Sequence, residues 1–186
     1  MRSPRVYTAE AIILKRHNVG EADRILTLFT KHYGKVRVLA RGVRKVSSKR
    51  APHVEVFNRV IATLHKGKGM DTLTEVSPIA SYEPIRKDLM RVGAAYYLCE
   101  LIDGLLPVEQ PHEDVFSLLV DAFIALSSVK SERIEILRAR FAAALLTRLG
   151  YMASGKKFKD NDIDAYVERI LERRLKTVRL ASHFNI

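Results

Sequence analysis

Between Val6 and Ile79 the apolar positions follow the two-residue period of extended chain. Val36 and Val38 alternate with Arg37 and Leu39, the pattern of a strand with one buried face, while Ile12-Ile13-Leu14 suits a segment covered on both sides. Five segments carry this β-branched signature: Val6–Lys15, Arg24–Lys31, Lys35–Arg41, Val54–Lys66 and Thr72–Ile79. The connections Asn18-Val19-Gly20-Glu21, Tyr33-Gly34-Lys35 and Lys66-Gly67-Lys68-Gly69 supply glycine where tight turns need it. Five short strands over about 80 residues fit a small closed barrel of the OB-fold kind.

Past Pro78 and Pro84 the period becomes helical. Leu89, Val92, Tyr96, Cys99 and Leu106 fall on or near one face of a first helix, and Pro107 and Pro111 separate it from a second over Glu113–Leu126, whose acidic start suits a helix N-terminus. Ser131 is placed to cap a third helix carrying Ile134, Leu137, Phe141, Leu145 and Leu149, with Gly150 as its stop. Gly155-Lys156-Lys157 reads as a loop, and a last helix begins near Asp162 with Ile163, Tyr166, Val167, Ile170 and Leu171 inward. The predicted fold is α+β: a five-stranded OB-fold barrel over residues 1–80, followed by an all-helical domain over 81–186.

Charge divides where the period does. Residues 1–80 hold 16 Lys and Arg against 6 Asp and Glu, so +10 of the total +11 sits on the barrel. A protein that merely wears solvated lysines has little reason to segregate them, whereas a polyanion-binding surface requires it. The densest cluster is Arg41-Gly42-Val43-Arg44-Lys45-Val46-Ser47-Ser48-Lys49-Arg50, with five basic residues and no acid. Long cationic side chains on a flexible segment meet several phosphates without fixed base geometry, giving sequence-independent, salt-sensitive affinity for single- and double-stranded nucleic acid. Lys35 and Arg37 on the preceding strand extend the same face. Phe29 and Phe57 lie within strand patterns and read as core; Tyr33, in a turn, is open to either packing or base stacking.

Other chemistries find little support. Glu21 and Asp23 project to one side of an extended chain, yet a two-metal nuclease needs several convergent carboxylates, so a turn-forming role fits better. The six histidines show no metal-ligand spacing, and Gly67-Lys68-Gly69 lacks the Walker pattern. A lone cysteine, Cys99, cannot build a disulfide framework within one chain and suits a reducing cytoplasm. Neither an export signal nor a run of about 18 apolar residues is present, so no membrane association is expected. No catalytic residue, metal or cofactor is assigned.

Specific segments resemble the bacterial RecO family of DNA repair and recombination proteins. They are Gly20-Glu21-Ala22-Asp23-Arg24-Ile25-Leu26-Thr27-Leu28-Phe29-Thr30, then Gly34-Lys35, then Ala40-Arg41-Gly42-Val43-Arg44-Lys45. Further on, Leu137-Arg138-Ala139-Arg140-Phe141 leading to Leu149-Gly150-Tyr151, and Arg174-Leu175-Lys176-Thr177-Val178-Arg179, resemble the family's central helix and closing segment. The resemblance implies an OB-fold followed by helices, and a cytoplasmic, nucleoid-associated mediator. Such a protein binds single- and double-stranded DNA, anneals complementary strands and, with RecR, helps load RecA on DNA coated with single-strand-binding protein. It implies DNA-contacting roles for Lys35, Arg37, Arg41, Arg44, Lys45, Lys49 and Arg50, and makes Arg138 and Arg140 candidates for the acidic C-terminal tail of single-strand-binding protein. Longer relatives insert a cysteine-bearing, zinc-finger-like module after the Leu-Gly-Tyr segment; with only Met152–Asp160 in that place, the resemblance implies a short, zinc-free form. The residues alone leave an OB-fold RNA-binding factor in ribosome or transcript processing as the alternative.

Overall fold

The computed structural model describes residues 5–153 and 162–183. Five strands, β1 (Val6–Val19), β2 (Asp23–Thr30), β3 (Gly34–Ala40), β4 (Arg59–His65) and β5 (Asp71–Ala80), close into a barrel of order β1-β2-β3-β5-β4. All pairings are antiparallel except β3 with β5, the topology of an OB-fold. Strand β1 serves two neighbours. Its first half pairs with β4 (Val6↔His65 to Ile12↔Arg59) and its second with β2 (Ala11↔Thr30 to Val19↔Asp23), with a register shift between Ile13 and Lys15. At that irregularity Ile13 turns its main chain to the β4 approach instead, donating to Asn58 O (3.1 Å) and accepting from Phe57 N (2.8 Å). Ile12, Ile13 and Leu14 are all fully buried, and with Leu26, Leu28, Val38, Ala62 and Leu64 they fill the barrel.

Two strand boundaries depart from expectation. Strand β1 runs on to Val19, although Lys15–Val19 are exposed, because pairing with β2 satisfies the backbone where burial does not. Strand β4 starts at Arg59 and not at Val54. Pro52 lies in a short 3₁₀ turn over Ala51–Val54, Phe57 takes a left-handed φ of 73°, and the buried Asn58 amide donates to Pro52 O and His53 O, so the chain there is a folded corner.

The barrel unit also contains Leu106–Glu113, the proline-bearing stretch expected to do no more than separate two helices. Val108 bridges to Lys35, and Glu109 N donates to Lys35 O at 2.9 Å. Gly34, at φ +69°, makes this possible: a Cβ there would meet Gln110 O at 2.2 Å. A boundary drawn from sequence at residue 80 does not anticipate this return.

The second unit, Tyr82–Leu105 with Asp114–Ile186, is helical in its described residues. Its elements are α1 (Glu83–Arg86), α2 (Leu89–Leu105), α3 (Glu113–Ser128), α4 (Ile134–Arg148), α5 (Asp162–Leu171) and α6 (Lys176–His183). The inward face of α2 is Ala94, Ala95, Leu98, Leu101, Ile102 and Leu105, with Cys99; Leu89 and Tyr96, expected inside, are 70% and 44% exposed. In a helix apolar nearly all round, periodicity does not single out the buried stripe. Ser131 does not cap α4: it opens a 3₁₀ turn, and Arg133 stands at the cap without a side-chain bond. Gly150 does end α4, at φ +78°, with Gly150 N on Thr147 O (3.1 Å) and Tyr151 N on Leu146 O (2.9 Å), a Schellman motif. The loop expected at Gly155–Lys157 lies outside the described residues.

Helix α6 is held to α2 by one carboxylate. Glu100, buried in an otherwise apolar stretch, accepts from Lys176 N (3.0 Å), Thr177 N (3.0 Å), Thr177 Oγ1 (2.8 Å) and Arg173 Nη1 (2.9 Å), so it acts as the N-terminal cap α6 lacks in its own sequence. Burial raises the Glu100 pKa, but the donors from Lys176, Arg173 and Thr177 outweigh it and hold the group below the ordinary carboxylate value.

Candidate nucleic-acid interface

The basic segment leaves β3 as a series of turns tied down at its two ends. At its start, Gly42 N donates to Asp23 Oδ1 (2.7 Å), Arg44 N to Ala22 O (2.9 Å) and Arg44 Nη1 to Gly20 O (3.0 Å), and Val43 is fully buried beneath. At its end, the Arg50 guanidinium donates to Leu73 O (2.9 Å), Thr74 O (3.3 Å) and Arg41 O (2.7 Å), clamping the loop against β5 and closing it on its own first residue. Asp23 is thus a loop anchor, in keeping with the turn-forming role.

Along this segment the side chains of Arg41, Arg44, Lys45, Val46, Ser47 and Lys49 are exposed. Arg41, Lys45, Ser47, Ser48, Lys49 and Arg50 line an open depression of about 570 Å³. Arg37 projects outward from the middle of β3, between the buried Val36 and Val38, and extends the positive surface along the barrel. Lys35 does not join it. At 6% exposure it is covered on the side where Val108 bridges β3. The seven barrel cations named from sequence therefore separate into five exposed ones, Arg37, Arg41, Lys45, Lys49 and Arg44, the last with one guanidinium bond to Gly20 O, and two with different surroundings, Lys35 buried and Arg50 half-buried with its guanidinium on three main-chain carbonyls. Phe29 and Phe57 are core residues, at 0% and 2% exposure, whereas Tyr33 is 42% exposed.

In the helical unit Arg138 is already engaged. Its Nη1 donates to Glu135 (2.8 Å), its Nη2 lies 3.6 Å from Asp164, and its guanidinium stacks 4.1 Å from the Tyr97 ring centroid. Arg140 differs: it is exposed at the rim of a groove of about 480 Å³ between α3 and α4, floored by Leu118, Ala122, Leu137 and Phe141 and flanked by Ile136 and Arg133. Arg133 escaped the sequence reading although its i,i+7 spacing puts it on the same face of α4 as Arg140, two turns away; an arginine at the start of a helix is by itself a solvated charge, and the groove beside it forms only when α3 packs there. Among the described residues no group of three or more His, Cys, Asp or Glu is arranged to hold a metal, and no helix is long and apolar enough to cross a membrane.

The family models described as Recombination protein O N terminal and Recombination protein O C terminal match residues 1–82 and 86–156, in the order of the barrel and the helices. The chain belongs to the RecO family. Its curated relatives include the DNA repair protein RecO of Roseiflexus sp. (strain RS-1), 40% identical over 147 residues, covering 79% of this chain and 51% of the relative. The DNA repair protein RecO of Desulfitobacterium hafniense (strain DSM 10664 / DCB-2) is 37% identical over 146 residues, covering 78% and 52%. That of Dehalococcoides mccartyi (strain ATCC BAA-2266 / KCTC 15142 / 195) is 34% identical over 151 residues, covering 81% and 59%. The chain spans about half the length of these RecO relatives. The N-terminal RecO match contains the whole basic loop, and the C-terminal match contains the α3–α4 groove.

Proposed function

We propose that the barrel unit binds single- and double-stranded DNA through Arg37, Arg41, Arg44, Lys45 and Lys49, and that the protein is a non-enzymatic, cytoplasmic, nucleoid-associated mediator of DNA repair. The observation that carries this is the basic loop: four exposed cations on a segment whose main chain is pinned at each end. Pinning lowers the entropy lost on binding, and exposed cations gain affinity by releasing counterions from the phosphates they meet. Lys35 and Arg50 support the surface indirectly, Lys35 as a buried residue of β3 whose main chain holds the Leu106–Glu113 segment and Arg50 as the loop's clamp.

Neutralising two phosphate backbones at once allows complementary strands to approach, so the same surface anneals them. The apolar α3–α4 groove with Arg133 and Arg140 at its rim fits the acidic, apolar-ended tail of single-strand-binding protein. Arg140, not Arg138, is the residue offered to its carboxylates. Acting with RecR, the protein then helps load RecA on the DNA so exposed. An annealing assay on complementary strands coated with single-strand-binding protein tests this reading: acceleration by the wild type and loss on neutralising Arg41, Arg44, Lys45 and Lys49 are expected. Equal acceleration by that variant removes the loop from the function.

A further inference from the structure

Among the described aromatics of the barrel unit, Tyr33 alone is exposed; Phe29 and Phe57 are core and Tyr7 is half-buried. Its presentation is fixed. The β2–β3 turn is held by Lys31 N on Glu10 O (2.9 Å), and by the buried Thr30 hydroxyl, which accepts from Tyr33 N (3.0 Å) and donates to Gly34 O (2.8 Å). On one side the Tyr33 ring meets Tyr7, with centroids 4.7 Å apart and planes tilted by 57°. Tyr7 is itself fixed, since its hydroxyl donates to Asp71 Oδ2 at 2.6 Å, and Lys66 Nζ lies 6.0 Å from its ring. A large aromatic surface is thus held at the barrel rim in one orientation, backed by a second ring and flanked by the exposed cation Lys66. Packing does not require this: the barrel core closes without Tyr33, and so rigid a turn needs no exposed ring.

Tyr33 and the basic loop lie at opposite ends of β3. Eight residue steps from Tyr33 to Arg41 span about 26 Å at ~3.3 Å per residue, with Arg37 outward between them. This length suits a single strand of several nucleotides, within the range one OB barrel accommodates. We propose that Tyr33, backed by Tyr7, is a stacking site for an unpaired nucleobase of a single strand whose phosphates meet Arg37 and the basic loop. The inference rests on the DNA-binding reading above and adds to it a preference for unpaired bases. Phosphate contacts alone do not supply that preference, because duplex and single strand both present phosphates.

Binding of the full chain to oligodeoxyadenylate and to a relaxed, covalently closed circular duplex, which has neither ends nor unpaired loops, provides the test. Tyr33→Ala is expected to lose about 5- to 150-fold in affinity for the single strand and to leave duplex affinity unchanged, with Tyr33→Phe close to wild type on both. The unchanged duplex affinity also reports that the variant is folded. A second measurement stands apart from any folding defect. With no tryptophan and seven tyrosines, the protein's emission is tyrosine emission, so single-strand binding should quench it less in Tyr33→Phe than in the wild type at equal saturation. Equal quenching in the two proteins, or equal losses of Tyr33→Ala on single strand and duplex, overturns the stacking site while leaving DNA binding in place. Failure of the wild type to bind either probe overturns both.

Discussion

Replacing Arg50 by glutamine or by lysine distinguishes a clamp from a phosphate ligand. In the folded protein its guanidinium donates to three carbonyls, at 2.7, 2.9 and 3.3 Å, on two separate segments. A buried hydrogen bond from a charged donor contributes roughly 1.5–3 kcal/mol, but this side chain is partly exposed and the longest bond is weak, so about 2 kcal/mol in total is the reasonable sum. Glutamine should therefore cost about 2 kcal/mol in urea unfolding. Lysine keeps the charge but not the planar fork, and should recover less than half of the loss. DNA binding supplies the second readout. Each phosphate contact contributes about 0.7 to the slope of log K against log salt on single strands and about 0.9 on duplex. Because Arg50 is spent on carbonyls, Arg50→Gln should weaken binding by loosening the loop while leaving that slope unaltered. A lysine variant of wild-type stability, together with a glutamine variant whose slope falls by one contact, would refute the clamp and return Arg50 to the phosphate-binding set.

Glu100→Gln should destabilise the helical unit by about 2 kcal/mol at neutral pH, since an amide turns an N–H₂ toward the donors on Lys176 and Thr177. The Glu100 carboxyl lies below its ordinary value when folded. Its stabilisation is therefore complete above about pH 4.3 and is lost as pH falls through the folded pKa, so the urea midpoints of wild type and variant should converge on acidification; a gap independent of pH contradicts the cap. Gly34→Ala combines a left-handed φ with a Cβ 2.2 Å from Gln110 O, and should cost at least about 2 kcal/mol and speed hydrogen exchange at Glu109 N. Unaltered protection there means that the Leu106–Glu113 segment does not depend on Gly34. Arg140→Glu should weaken an acidic, apolar-ended peptide by about 10-fold or more without altering DNA affinity, whereas a similar loss from Arg133→Glu and none from Arg140→Glu would shift the contact along the groove.

The barrel was legible because its strands are buried on one side and bounded by glycine turns, so period and punctuation agree: Val36 and Val38 point in, and Arg37 points out. Legibility failed where tertiary context overrides local pattern. Val54–Asn58 reads as strand but is a corner set by Phe57 at positive φ, and α2 is too evenly apolar for its buried face to be chosen. The charge cluster was visible as composition, yet the separate surroundings of Lys35 and Arg50 were not, since those depend on Val108, Leu73 and Thr74, distant in the chain. Glu100 did leave a signal. A single carboxylate inside Leu98-Cys99-Glu100-Leu101-Ile102 requires a partner when buried, although its donors lie more than 70 residues away.

The salt dependence of DNA binding tests the central claim most directly. With Arg37, Arg41, Arg44, Lys45 and Lys49 each meeting one phosphate, the slope of log K against log salt should be about −3.5 on single strands and about −4.5 on duplex. Replacing Arg41, Arg44, Lys45 and Lys49 by glutamine should reduce its magnitude by about 2.8 and 3.6 respectively, with the circular-dichroism spectrum preserved. A folded variant that keeps the wild-type slope would contradict the assignment of the basic loop as the DNA-binding surface.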